Sequence, residues 1–184
     1  MSKSAASQLM VNDIAYRWPG KPIVVVCVDG GDATYYESGL RDGILPNIER
    51  FMNDGFSTIA EGVVPSFTNP NNLSIVTGTP PSVHGISGNF FLDPGSGEAV
   101  MMNHPDYLRA ETLFAAFSRA GADVVVITAK DKLRLLLGKG MINGICFSSE
   151  KADICRSAEH GIYDVLNMVG WPLPDVYSAE LSLF

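Results

Sequence analysis

The stretch Lys21-Pro22-Ile23-Val24-Val25-Val26-Cys27-Val28-Asp29-Gly30-Gly31-Asp32 constrains the fold more than any other part of the chain. Its apolar run is too short and too β-branched for a helix, and its unbroken apolar character predicts a strand buried on both faces, as in the middle of a parallel sheet. Asp29 stands at the carboxyl end of that strand, and the two glycines behind it let the backbone turn sharply. In open α/β sheets this edge is where ligands bind, and a carboxylate held there is a natural ligand for a hard or borderline cation. The same residue would also suit a plain turn or a helix cap.

With 184 residues, 46% hydrophobic and 18% charged, the chain is long enough to bury a substantial core and too apolar for disorder. A net charge of -7 and a pI near 4.8 argue against nucleic acid or an anionic membrane as partner, since either needs a basic face. Cys27, Cys146 and Cys155 form no CxxC pair and read as reduced thiols, two of them in apolar segments that suit burial. The first twenty residues lack the apolar core of a signal peptide and are broken by Asn12-Asp13 and Pro19-Gly20, and no stretch reaches transmembrane length. A cytoplasmic protein is the simplest reading, and a homodimer is compatible with it.

After the first strand, residues 44–55 carry proline in the first turn, apolar residues at helical spacing and a terminal glycine, which predicts a crossover helix. Residues 56–64 alternate as a second strand, completing a βαβ unit. In Val64-Pro65-Ser66-Phe67-Thr68-Asn69-Pro70-Asn71-Asn72-Leu73-Ser74-Ile75-Val76-Thr77-Gly78, Pro70 suits a first helical turn and Gly78 a helix end. Thr68 then lies at or just before the helix N-terminus, where unpaired N–H groups and the macrodipole favour an alkoxide or a phosphoryl group. A threonine there is more often an N-cap.

Residues 80–89 are rich in Pro and Gly and read as loop, with His84 a hydrogen-bonding structural residue more readily than a metal ligand. A hairpin follows over 90–102, and Asn89 just ahead of it has an amide to donate to an oxyanion. A helix over 111–120, a strand over 123–128, a short helix over 133–137, a strand over 142–147 and a helix over 162–169 complete the pattern. Lys130 and Lys132 fall at the carboxyl end of the strand 123–128, where two cations in an acidic protein suit an anionic substrate or form a solvated pair. Residues 175–184 continue a helical apolar pattern without a stop signal, which predicts a piece of a longer protein.

Together, Val28-Asp29-Gly30, Pro65-Ser66-Phe67-Thr68-Asn69-Pro70-Asn71, Thr77-Gly78 and His84-Gly85-Ile86 with Asn89 resemble the alkaline phosphatase superfamily, and within it the phosphonoacetate hydrolase family. The resemblance runs through essentially the whole chain. It implies an α/β, alkaline-phosphatase-like core with a mostly parallel central sheet flanked by helices, these residues being the N-terminal part of a single catalytic domain. It also implies that Asp29 ligates one of two zinc ions, that Thr68 is the nucleophile with its oxygen on the same zinc, and that Asn89, Lys130 and Lys132 contact a small phosphonate substrate. The implied reaction is hydrolysis of phosphonoacetate to acetate and phosphate through a phosphothreonine intermediate.

The chain departs from that pattern in its ligands. Only His84, His104 and His160 are present, and none stands in the Asp-x-x-x-His or Asp-His arrangement that completes the family's two zinc sites. This polypeptide by itself is therefore expected to bind zinc weakly and to be nearly inactive. A nucleotide pyrophosphatase or phosphodiesterase would use the same Asp and Thr on a different substrate, and a non-catalytic α/β module for a small anion would need neither as a nucleophile.

Overall fold

The computed structural model describes residues 8–173. In chain order the strands are β1 (Gln8–Val11), β2 (Ile14–Arg17), β3 (Phe90–Leu92), β4 (Ala99–Met101), β5 (Val124–Thr128) and β6 (Gly144–Ser148). The α-helices are α1 (Ala33–Arg41), α2 (Pro46–Asp54), α3 (Thr68–Thr77), α4 (Pro81–His84), α5 (Leu113–Arg119), α6 (Arg134–Leu137) and α7 (Val165–Val169). The chain divides into two compact units, Pro19–Gly62 and the remainder. The fold is α/β.

In the smaller unit, α1 is capped by Asp32, whose carboxylate accepts the Thr34 N–H at 2.8 Å, and α2 begins on Pro46 as the sequence predicts. The helices meet where Gly39 leaves room for the Leu45 side chain. The two strands expected here are not formed. Residues 22–28 and 56–62 have no regular secondary structure, and Val24 and Phe56 are 85% and 87% exposed. A strand is made by its neighbours, and among the described residues no ladder partner lies along either stretch. Cys27, expected in a buried strand, is exposed for the same reason, while Cys146 and Cys155 are half-buried.

In the larger unit, residues 8–17 form a hairpin that the sequence reading treats only as a break. Asn12 and Asp13 take φ of 48° and 65°, the left-handed pair that a two-residue hairpin loop requires, and the strands pair antiparallel around them. The Asn12 side chain then acts as a bolt. Its Nδ2 donates to the carbonyls of Thr77 and Glu111, both at 2.8 Å, and its Oδ1 accepts the Glu111 N–H at 3.1 Å.

The core of this unit is Leu73 and Val76 of α3 with Ile86, Met102, Leu108, Val126 of β5, Leu133, and Leu136 and Leu137 of α6. The segment β5–α6–β6 is a βαβ unit whose strands pair in parallel, from Val124 opposite Gly144 to Thr128 opposite Ser148. Only one face of β5 is covered: Val126 and Thr128 are buried, Val125 and Ile127 exposed. The described residues thus contain three two-stranded sheets, one of them parallel, in place of the mostly parallel central sheet expected. The pattern over 175–184 lies outside the described residues, and no helix among them is long and apolar enough to cross a membrane.

The Asn12 bolt combines backbone conformation with side-chain bonding, and substitution separates the two. Asn12→Ala should cost about 3 kcal/mol, from three hydrogen bonds at roughly 1 kcal/mol each less whatever water replaces, plus the left-handed strain. Asn12→Gly should recover about 1 kcal/mol of that by removing the strain alone. Urea titration of the three proteins checks this; a glycine variant as stable as the parent would show that the side-chain bonds contribute nothing.

Candidate active site

Thr68 is the first residue of α3, and Phe67, extended at φ -101° and ψ 157°, is the N-cap. The cap position therefore carries no hydroxyl, and capping does not account for a threonine at position 68. Two asparagines fix this helix start. Asn71 accepts the Val63 N–H at 2.9 Å and donates to the Phe67 carbonyl at 3.0 Å, which folds the incoming segment back onto the helix. Asn72 donates to the Thr68 carbonyl at 2.9 Å. Thr68 itself is half-buried, and Pro70, which has no N–H to satisfy, fills the first turn.

Behind Thr68, Asn69 is 1% exposed and its Nδ2 donates to the Met102 carbonyl at 3.3 Å. The Met102 N–H donates in turn to the Asn89 carbonyl at 2.8 Å. Met102, at the end of the β3–β4 hairpin, thereby joins the first turn of α3 to Asn89 through its own carbonyl and N–H. The Oδ1 atoms of Asn69 and Asn89 are both buried without a donor among the described residues. A buried amide oxygen without a donor ordinarily costs about 1–3 kcal/mol.

Lys130 and Lys132 follow the carboxyl end of β5 as expected, Lys130 half-buried and Lys132 exposed, on either side of Asp131. Thr128 Oγ1 donates to the Lys130 carbonyl at 2.9 Å, fixing the turn out of the strand. Asp29 lies in the smaller unit, exposed, at the end of the apolar stretch 22–28. Its turn is the one the glycines predict: Gly30 has φ of 71° and the Gly31 N–H donates to the Val28 carbonyl at 3.2 Å.

His84 is the hydrogen-bonding structural residue that the sequence reading favours over a metal ligand. Fully buried, it accepts the Ile86 N–H on Nδ1 at 3.1 Å, which leaves the proton on Nε2, 3.0 Å from Ser74 Oγ on α3. Burial pushes its pKa below the ordinary histidine value, with the Pro70 carbonyl opposing that shift. The imidazole is a neutral brace between the 84–86 turn and α3, and no pattern in the sequence separates that role from a loop histidine. Asn69, Met102 and Asp131 are given no role in the sequence expectations; Met102 links the two asparagines through its backbone while its side chain packs in the core.

Asp29 and Thr68 offer the oxygen donors that zinc accepts. Among the described residues no group of three or more His, Cys, Asp or Glu side chains could hold a metal ion. The described residues therefore fit part of a zinc ligand set and do not close a site.

The neutrality of His84 has a sign that can be tested. A histidine whose folded pKa is depressed binds fewer protons in the folded chain than in the unfolded one below the unfolded value of about 6.5. Its contribution to stability is thus complete above that pH and declines as pH falls below it. Melting temperatures between pH 7.5 and 5.5 should decline with acid in the parent and decline less in His84→Gln; equal slopes would remove His84 as the cause.

Comparison with known proteins bears on the same residues. Residues 23–134 match the family described as type I phosphodiesterase / nucleotide pyrophosphatase. The solved structure of phosphonoacetate hydrolase from Sinorhizobium meliloti in complex with phosphonoacetate is 50% identical, with a TM-score of 0.88 over 98% of this chain and 44% of that one. The same enzyme with phosphonoformate superposes equally well. An uncharacterized pyrophosphatase/phosphodiesterase from Schizosaccharomyces pombe is 34% identical over 84 residues, 46% of this chain and 17% of that protein. The chain spans less than half the length of these relatives. A match that takes in both Asp29 and Thr68 and covers most of the chain places it in one family: this protein belongs to the type I phosphodiesterase / nucleotide pyrophosphatase family.

Proposed function

We propose that the chain is part of a phosphonoacetate hydrolase, which cleaves the carbon–phosphorus bond of phosphonoacetate to give acetate and phosphate. The observation that carries this reading is the 50% identity and TM-score of 0.88, across 98% of the chain, to an enzyme of that name bound to phosphonoacetate. The architecture that goes with it is an alkaline-phosphatase-like core with a mostly parallel central sheet, in a cytoplasmic protein.

In this reading the phosphonate lies against the N-terminus of α3, where first-turn N–H groups and the macrodipole favour its charge. Thr68 Oγ attacks phosphorus, the P–C bond breaks, and its electron pair leaves with the acetate fragment as an enediolate. The hydroxyl proton ends on that carbon. Lys130 and Lys132 neutralise the carboxylate on which the charge accumulates, and the Asn89 amide steadies a phosphonate oxygen. Water then cleaves the phosphothreonine to regenerate Thr68 and release phosphate. Two zinc ions are the proposed cofactors, with Asp29 and Thr68 among their ligands; bound there, zinc supplies Lewis acidity to the phosphoryl oxygens and acidifies a hydroxyl.

Phosphate release from phosphonoacetate by the full-length form, with zinc supplied and then chelated, tests the reading. Turnover should vanish on chelation, and Thr68→Ala should lower kcat by about a thousandfold or more. The 184-residue polypeptide alone should bind zinc weakly and turn over little. Metal-independent turnover, or an active Thr68→Ala enzyme, would overturn the mechanism.

The family match favours a second reading, nucleotide pyrophosphatase or phosphodiesterase. Paired lysines discriminate, because a nucleobase calls for an apolar or aromatic slot while a carboxylate calls for cations. Alanine at both Lys130 and Lys132 should abolish phosphonoacetate turnover and change hydrolysis of an aryl phosphodiester by less than about threefold. Equal losses on both substrates would favour the second reading.

A further inference from the structure

Between the two lysines, Asp131 is the most heavily engaged side chain at the carboxyl edge of β5 and β6. Its Oδ1 accepts from Arg134 Nε at 2.6 Å and from Ser148 Oγ at 3.2 Å, and its Oδ2 accepts from Lys151 Nζ at 2.8 Å. Its backbone N–H donates to Glu150 Oε2 at 2.7 Å, and the Glu150 N–H donates to the Ala129 carbonyl at 3.2 Å. Ser148 is 1% exposed and is the last residue of β6, directly opposite Thr128. The turn that presents Lys130 and Lys132 is therefore stapled to the end of the neighbouring strand by both its side chain and its main chain.

The staple also sorts charge. Residues 129–134 and 148–151 hold four cations, Lys130, Lys132, Arg134 and Lys151, against two carboxylates, Asp131 and Glu150, an excess of positive charge in a chain of net charge -7. Asp131 takes two of those cations, Arg134 and Lys151, into fixed ion pairs. Guanidinium and ammonium groups beside it hold its carboxyl at about 2, so it is ionised throughout the neutral range.

We propose that Asp131 is a positioning residue for the substrate's carboxylate: it fixes the turn that aims Lys130 and Lys132 at that group and withholds Arg134 and Lys151 from it. The inference rests on the phosphonoacetate reading above. Without the staple the lysines keep their charge and lose their aim, and Arg134 and Lys151 become rival anion sites. The defect then falls on binding and turnover of the carboxylate-bearing substrate and spares a substrate that has none.

The test compares phosphonoacetate with an aryl phosphodiester, using the full-length enzyme and the variants Asp131→Asn, Asp131→Glu and Ser148→Ala, with melting temperatures measured alongside. Asp131→Asn should lower kcat/KM for phosphonoacetate about tenfold or more, with both aryl ester constants within about threefold of the parent. Asp131→Glu should restore part of the loss. Should Asp131→Asn not fold, Ser148→Ala, which removes one bond and keeps the charge, should show the same split at about two- to fivefold. Parallel losses on both substrates, or an unchanged kcat/KM for phosphonoacetate in a folded Asp131→Asn enzyme, overturn the inference and leave the hydrolase reading intact. A parent enzyme that turns over the aryl ester and not phosphonoacetate overturns both.

Discussion

A polar group taken out of water has to find a partner inside the protein, and around α3 that requirement dictates which segments touch. The helix is gripped by amides and an imidazole along its length: Asn71 at its start, Asn69 beneath its first turn, His84 against Ser74, and Asn12 at the Thr77 carbonyl. Each bond reaches a different part of the chain, so the hairpin of β1 and β2, the 84–86 turn and the end of β4 converge on one helix. Leu73 and Val76 bury the face between those contacts. Apolar packing supplies the bulk of the driving force, and the hydrogen bonds decide where Thr68 stands relative to its surroundings.

A second kind of order governs the carboxyl edge of β5 and β6. There the partners are ions near the surface, where isolated pairs contribute little to stability. Asp131 differs because its carboxylate takes three partners while its own N–H is held by Glu150, so the geometry is set by the ensemble. The two arrangements divide the work: neutral, buried bonds position Thr68, and a charged network shapes the turn that carries Lys130 and Lys132.

What was legible in the sequence follows from how local each signal is. Helix ends depend on one or two residues, and Pro46, Pro70, Gly78 and Gly121 mark them where the structure has them. Where a cap lies inside the expected span the helix begins later, as with Thr112 before α5 and Asp164 before α7. The strands expected over 22–28 and 56–64 rested on an unbroken apolar run and on a looser alternation, but a strand exists only with a partner, and none pairs with them among the described residues. The position of Thr68 at a helix start was readable because Pro70 marks the first turn of the helix and Gly78 its end. The structural role of His84 was readable but its partners were not, and the roles of Asn69 and Asp131 were not, because each depends on what stands opposite in space. Asn12 combines both cases: the turn is a local property of Asn-Asp, and the bolt is not.

The pairing of β5 with β6 runs from Val124 opposite Gly144 to Thr128 opposite Ser148, and the charged staple begins at that last rung, where Ser148 Oγ donates to Asp131. Side chains alternate between faces along a strand, so a slip of one residue would turn Ser148 and Cys146, which packs against the core, to the other face. It would also carry Ser148, Glu150 and Lys151 about 3.3 Å past Asp131, out of bonding range. Correct strand alignment and assembly of the lysine turn are thus a single event. A misaligned sheet would announce itself at the surface as a cluster of unpaired charges, and the fold carries its own check on alignment at the carboxyl edge of β5 and β6.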